Sequence, residues 1–120
     1  MLLVHFDHEK LDVYVATMDF LSLAHRIIAA LPPGYAGLAD QLQRAATSIA
    51  LNIGEGAGEF SKPEKARFYR YARRSATESA AALDVALRLE VATAAQCQAG
   101  RETLIRIVSM LTNMVRTLER

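Results

Sequence analysis

The sequence predicts an all-α protein folded as an antiparallel up-down-up-down four-helix bundle. Three observations carry that expectation. Apolar residues recur at spacings of three and four through four long segments, the pattern of a helix with one buried face. Proline and most glycines fall between those segments or near their ends, where chains turn. Strand-favouring residues never alternate over a long run, although the 120-residue chain is 52% hydrophobic. A chain of this length fits a single domain spanning 1–120.

Residues 1–10, MLLVHFDHEK, read as an extended tail held against the bundle by Leu2, Leu3, Val4 and Phe6. His5, Asp7 and His8 are metal-ligand types, but a tail supplies no fixed tetrahedral geometry, so no metal is expected. Helix 1 runs from about Leu11 to Leu31 with Asp12 as its N-cap, and Val13, Thr17, Phe20, Ala24, Ile27 and Leu31 form a bundle seam. Pro32-Pro33-Gly34 ends it by removing donors and fixing φ.

Helix 2 is read from about Leu38 to Glu55. Leu38, Leu42, Ala45, Ile49 and Ile53 make its apolar stripe, and Arg44, Ser48, Asn52 and Glu55 a polar one. Gly54, Gly56 and Gly58 then suggest a flexible corner, because glycine is a poor helix former. The corner does not read as a phosphate-binding loop: it follows a helix and has no Gly-Lys-Ser/Thr ending. Ser61-Lys62-Pro63-Glu64 has the spacing of a capping box with proline in the first turn, which starts helix 3. That helix continues to about Glu90 on an inner stripe of Phe68, Ala72, Ser75, Ser79, Ala82, Ala86 and Leu89. Thr93-Ala94-Ala95-Gln96 is a second capping-box pattern. Helix 4 therefore starts near Ala94. It keeps Gly100 inside a seam of Cys97, Gly100, Leu104, Ile107, Leu111, Met114 and Leu118, which calls for a close helix contact at the glycine.

Cys97 is the only cysteine, which excludes an intramolecular disulfide and fits a cytoplasmic protein. The first ten residues lack the basic start and apolar core of a secretion signal. No run of about eighteen uncharged apolar residues marks a membrane span, so a membrane partner is not expected.

Most of the chain resembles a known family. The resemblance lies in QLQRAATSIALNIGEGAGEFSKPEKARFYRYARRSATESAAALDVALRL, residues 41–89, together with the pattern of helix 1 and the Leu-rich helix 4. The chain is similar to the four-helix bundle proteins encoded by intervening sequences in bacterial large-subunit rRNA genes. That resemblance implies a ring-like homopentamer with no established enzymatic activity. A related group with the same fold, the accessory variability determinants of diversity-generating retroelements, works with a reverse transcriptase and binds nucleic acid. The family's recurrent polar positions map onto Arg44, Ser48, Asn52, Glu55 and Glu78. Gly54 departs from the usual alanine.

Two surface features bear on partners. Beside the helix 4 seam lie Ile105, Val108, Met110 and Val115, leaving a polar line of Glu102, Arg106, Ser109, Asn113 and Arg116. A peripheral helix of a monomer needs one apolar stripe, so the breadth of this surface points to self-association. From Lys62 to Arg74 there are six cations, Lys62, Lys65, Arg67, Arg70, Arg73 and Arg74, and one acid, a local balance of +5 in a chain whose net charge is +1. They lie toward the N-terminal half of helix 3, where the macrodipole disfavours positive charge, so something negative should face them. Acids of this chain or of another subunit would serve. A phosphate backbone would too, which gives the alternative of an RNA- or DNA-binding accessory protein.

Arg44, Ser48, Asn52, Glu55 and Glu78 read as a structural polar network, with Arg44 paired to Glu78 or Glu55. Arg44→Ala should then cost more than an ordinary surface change. An enzyme built on Glu55 and Glu78 as paired carboxylates is the third reading. The Glu-x-x-His pairs of four-helix di-iron sites are missing, and His25 on helix 1 reads as a surface or seam residue. The sequence therefore points to a non-enzymatic oligomeric scaffold without a cofactor.

Overall fold

The computed structural model describes residues 6–120. Four helices follow one 3-10 turn at Asp7–Lys10: α1 (Asp12–Ala30), α2 (Ala36–Gly58), α3 (Lys62–Arg88) and α4 (Ala94–Leu118). Each packs on its neighbours in the chain, α1 also packs on α4, and among the described residues the backbones of diagonal helices stay apart. This is the up-down-up-down arrangement, and α2–α3 is its most extensive contact. The molecule measures 44 × 38 × 22 Å, two helix layers thick in its thin direction.

The core follows the seams. Val13, Thr17, Phe20, Ala24 and Ile27 of α1 meet Leu42, Ile49 and Ile53 of α2, Ala72, Ala76 and Leu83 of α3, and Leu104, Ile107 and Leu111 of α4. One helix, α1, is by length and composition apolar enough to cross a membrane, and its apolar seam is the bundle's core face.

Several local expectations change. The first ten residues are not extended throughout: Asp7–Lys10 form the 3-10 turn, which packs on α2. His8 sits edge-on to Tyr14 with ring centroids 4.6 Å apart, which pins the turn to α1. His5 and Leu2–Val4 lie outside the described residues. Asp12 is the first helical residue of α1 and Leu11 its cap, without a side-chain cap bond.

The largest difference is at GEGAG. The glycines do not break α2, which continues through Gly54 and Gly56 to Gly58. Gly56 is buried beneath the Tyr69 ring: a Cβ there would lie 2.7 Å from Tyr69 Cε1 and 3.2 Å from Phe68 Cβ. The glycine is required by close helix packing rather than by a turn. It also moves the α3 inner stripe, because Tyr69, not Phe68, is buried against α2, while Leu89 is exposed.

Gly100 meets the sequence expectation inside α4. A Cβ there would lie 2.7 Å from Leu83 Cδ1, so α3 and α4 approach closely at this level. Both caps form in different degree. Thr93 and Gln96 make the reciprocal box that starts α4. At α3 the Ser61 hydroxyl accepts from the Glu64 amide at 3.4 Å, but the Glu64 carboxylate turns to Arg67. Helix α3 ends in a turn whose bonds, Val91 N–H to Ala86 O and Glu90 N–H to Leu87 O, form a Schellman motif. Its left-handed position is Glu90, at φ 59°.

Candidate interaction surfaces

The expected polar network is smaller than five residues and is centred elsewhere. Helices α2 and α3 run antiparallel, and their register sets Ser48 opposite Ser75. The Ser75 hydroxyl donates to Ser48 Oγ at 2.9 Å. Asn52, one turn along α2, donates its amide to the Ser48 carbonyl at 2.9 Å and to Ser48 Oγ at 3.0 Å. Ser79 closes the row by donating to the Ser75 carbonyl at 2.9 Å. No buried side-chain nitrogen or oxygen among the described residues lacks a partner.

Arg44 does not join this cluster. It pairs with Asp40 one turn back on its own helix at 2.9 Å, with its side chain 79% exposed. Glu55 and Glu78 lie on exposed helix surface, and neither makes an ion pair with Arg44. The sequence ladder on α2 identified Ser48 and Asn52. It missed Ser75 as the donor to Ser48, although the antiparallel register places position 75 across from 48.

Most of the α3 cations are answered within the chain. Lys65 reaches back to the end of α2, where its ammonium donates to the carbonyls of Gly56 and Ala57 at 3.1 and 2.9 Å. Those carbonyls lie at the negative end of α2, where i+4 helical donors run out and Gly56 O keeps only the Glu59 amide at 3.2 Å, so a cation there suits both hydrogen bonding and the helix dipole. Arg67 pairs with Glu64 at 2.7 Å and Arg70 with Glu119 at 2.8 Å. Arg73 donates to the Thr112 hydroxyl at 3.3 Å. The hydrogen bond from Arg67 holds the Glu64 carboxyl below its usual range. Lys62 and Arg74 make no ion pair or hydrogen bond among the described residues, and the Arg74 guanidinium lies 5.8 Å from the Tyr71 ring centroid. The Arg67 guanidinium sits 4.7 Å from Phe68 and 5.5 Å from Tyr71, a small cation–aromatic stack on the surface of α3.

Apolar exposure is distributed differently from expectation. On α4, Val115 belongs to the core, Val108, Met110, Met114 and Leu118 are half-buried, and Ile105 stands out at 58% exposure. The broad apolar surface expected beside the α4 seam therefore narrows to Ile105, with Val108 and Met110 partly covered. Of that second row only Val115 enters the core, and Val108 and Met110 pack against its edge. Other large apolar side chains are exposed instead, including a fully exposed Phe60 in the α2–α3 turn and Leu51 at 64% on α2.

Two open grooves lie on different sides of the bundle. One, about 500 Å³, runs between the 3-10 turn, α1 and α2, bounded by His8, Tyr14, Leu51, Gly54, Glu55 and Glu59. The other, about 220 Å³, runs between α3 and α4 over Ala76, Ala80, Leu104 and Val108, with Ile105 and Arg101 at its edge. Among the described residues no group of three or more His, Cys, Asp or Glu is placed to hold a metal. Cys97 is buried, with its thiol directed to the Leu83 carbonyl at 3.7 Å, and burial raises its pKa.

A family model described as the 23S rRNA-intervening sequence protein matches residues 9–113, nearly all of this bundle. The chain belongs to that family. The match covers all of α1, α2 and α3 and most of α4, including the α3–α4 groove, the α1–α2 groove apart from His8, and the Ser48–Asn52–Ser75 cluster. No curated protein matches it. Among solved structures, this intervening-sequence family member is similar to a protein of unknown function from the S23 ribosomal protein family of Bacteroides thetaiotaomicron VPI-5482. The TM-score is 0.79 at 21% identity, over 86% of this chain and 97% of that one. At that identity the likeness concerns the fold.

Proposed function

We propose that this chain is a non-enzymatic, self-associating scaffold protein of the cytoplasm, with a ring of five copies as the assembly its family resemblance implies. The observation that supports it most is the exposure of large apolar side chains on separate faces of one small bundle, Leu51 at 64% and Ile105 at 58%. Such patches in a soluble protein mark interaction surfaces. The polar residues support the same reading: Ser48, Asn52 and Ser75 satisfy one another, and Glu55 and Glu78 stand on separate exposed stretches of helix surface. Two differently tagged copies expressed together should co-purify through either tag. Separation into singly tagged chains would reject the proposal.

The RNA- or DNA-binding alternative rests on Lys62, Arg74 and the Arg67–Phe68–Tyr71 stack. It is the weaker of the two, because intramolecular acceptors take up Lys65, Arg67, Arg70 and Arg73. Retention on single-stranded RNA that falls steeply with salt, and that is lost in a Lys62→Ala, Arg74→Ala variant, would favour it over the scaffold.

A further inference from the structure

We infer that copies of this chain join head to tail, with the α1–α2 face of one copy seated on the α3–α4 face of the next. This rests on the proposal that the chain self-associates, and adds which surfaces meet. The helix order makes the two faces opposite sides of the bundle, since α1 lies beside α2 and α4 and diagonal to α3. Each has an open groove with one exposed aliphatic side chain, Leu51 on the α1–α2 side and Ile105 on the α3–α4 side.

The two faces differ in charge, and that selects the pairing. The α1–α2 groove is bounded by Glu55 and Glu59 and by no lysine or arginine. Neither glutamate makes an ion pair among the described residues. The α3–α4 groove is bounded by Arg101 and by no acid. Arg101 shares one contact with Asp84 at 3.2 Å while both stay more than half exposed. Arg73, one turn before Thr77 of the groove, is held across to α4 by neutral Thr112 and has no acidic partner. Joining two α1–α2 faces would set four unpaired glutamates together, and joining two α3–α4 faces would set the arginines together. Joining one of each brings acids to bases and Leu51 to a groove floored by alanine, leucine and valine. Opposite-sign faces select a partner in this way even where each ion pair adds little net affinity.

A contact between unlike faces is heterologous, so every added copy leaves one free face of each kind until the chain of subunits closes into a ring. A standard interface buries about 800 Å² per partner. Two of these per copy is a modest share of the 7508 Å² that the chain exposes.

The test uses two single variants, Leu51→Glu and Ile105→Glu, with circular dichroism confirming that each is folded. Both positions are more than half exposed, so the bundle tolerates the change. Each variant loses one face and keeps the other. Alone, each should fall to the monomer mass of 13.2 kDa. Mixed in equal amounts, they should form a two-chain species and stop there. The intact α1–α2 face of Ile105→Glu pairs with the intact α3–α4 face of Leu51→Glu, and the remaining faces set glutamate against glutamate. The inference is overturned if the wild type is a multimer and both variants keep its mass, or if either variant dimerises by itself and mixing adds nothing. A wild type that is monomeric throughout would instead remove the underlying proposal of self-association. If either glutamate variant is not folded, Leu51→Ala and Ile105→Ala are read by the same masses after the same mixing.

Discussion

Gly54 and Gly56 lie two residues apart on α2, and the packing account assigns opposite signs to the same substitution. Replacing a helix-interior glycine by alanine removes about 1 kcal/mol of backbone cost. At Gly54 the new methyl has only His8 Nδ1 near it, at 3.9 Å, so the gain is kept. At Gly56 it would sit 2.7 and 2.9 Å from two atoms of the Tyr69 ring and 3.2 Å from Phe68 Cβ. Carbon atoms prefer about 3.5–4.0 Å. Tyr69 is only 5% exposed, so its ring cannot swing into solvent without opening the core. Overpacking of this kind costs about 1–3 kcal/mol. Because the propensity gain is common to both, Gly56→Ala should lie below Gly54→Ala by that same 1–3 kcal/mol. Near 4 °C per kcal/mol for a domain of this size, the melting temperatures should differ by roughly 4–12 °C. Urea denaturation at one chain concentration, with m-values checked for equality, measures it. Equal midpoints for the two variants would refute the view that α2 and α3 meet across Gly56.

Further predictions address the other local features. Glu90 occupies a left-handed position that suits glycine, so Glu90→Gly should stabilise the protein by about 0.5–1 kcal/mol in chemical denaturation. Arg44→Ala should cost no more than about 0.5 kcal/mol, because its pair with Asp40 is exposed, whereas Ser75→Ala should cost about 1 kcal/mol by removing the bond across α2 and α3. Glu64 has a lowered pKa, so its contribution is present at neutral pH and is lost as pH falls through the carboxylate range. The small stability difference between wild type and Glu64→Gln should therefore shrink to nothing in acid. The Cys97 thiol should resist a thiol reagent at mildly alkaline pH in the native protein and react at once in denaturant, as its burial and raised pKa require.

The helical architecture was legible because it depends on periodicity and on few local signals. Thr93-Ala94-Ala95-Gln96 and the unbroken seam through Gly100 placed the start of α4 where it lies. GEGAG misled because glycine has two uses that look alike in one dimension. It frees the backbone in turns, and it lets helices touch. Only the position of Tyr69 over Gly56 separates them. The polar residues divided for a related reason. Ser48 and Asn52 are four apart on one helix, so their contact is local, but Ser75 and Asp40 were the true neighbours and only one of those is a helical repeat away. The α3 charge run was visible, while its partners, the end of α2, Glu119 and Thr112, come from distant parts of the chain. Exposure was the least legible property. Val115 sits in the core and Leu51 on the surface, and helical spacing alone treats both as apolar.

Self-association through exposed apolar faces is the claim on which the functional reading depends. Sedimentation equilibrium of the purified chain at micromolar concentration and physiological salt measures it directly. We predict a weight-average mass that is a whole multiple of 13.2 kDa greater than one. A single species of 13.2 kDa across the concentration range would contradict the account.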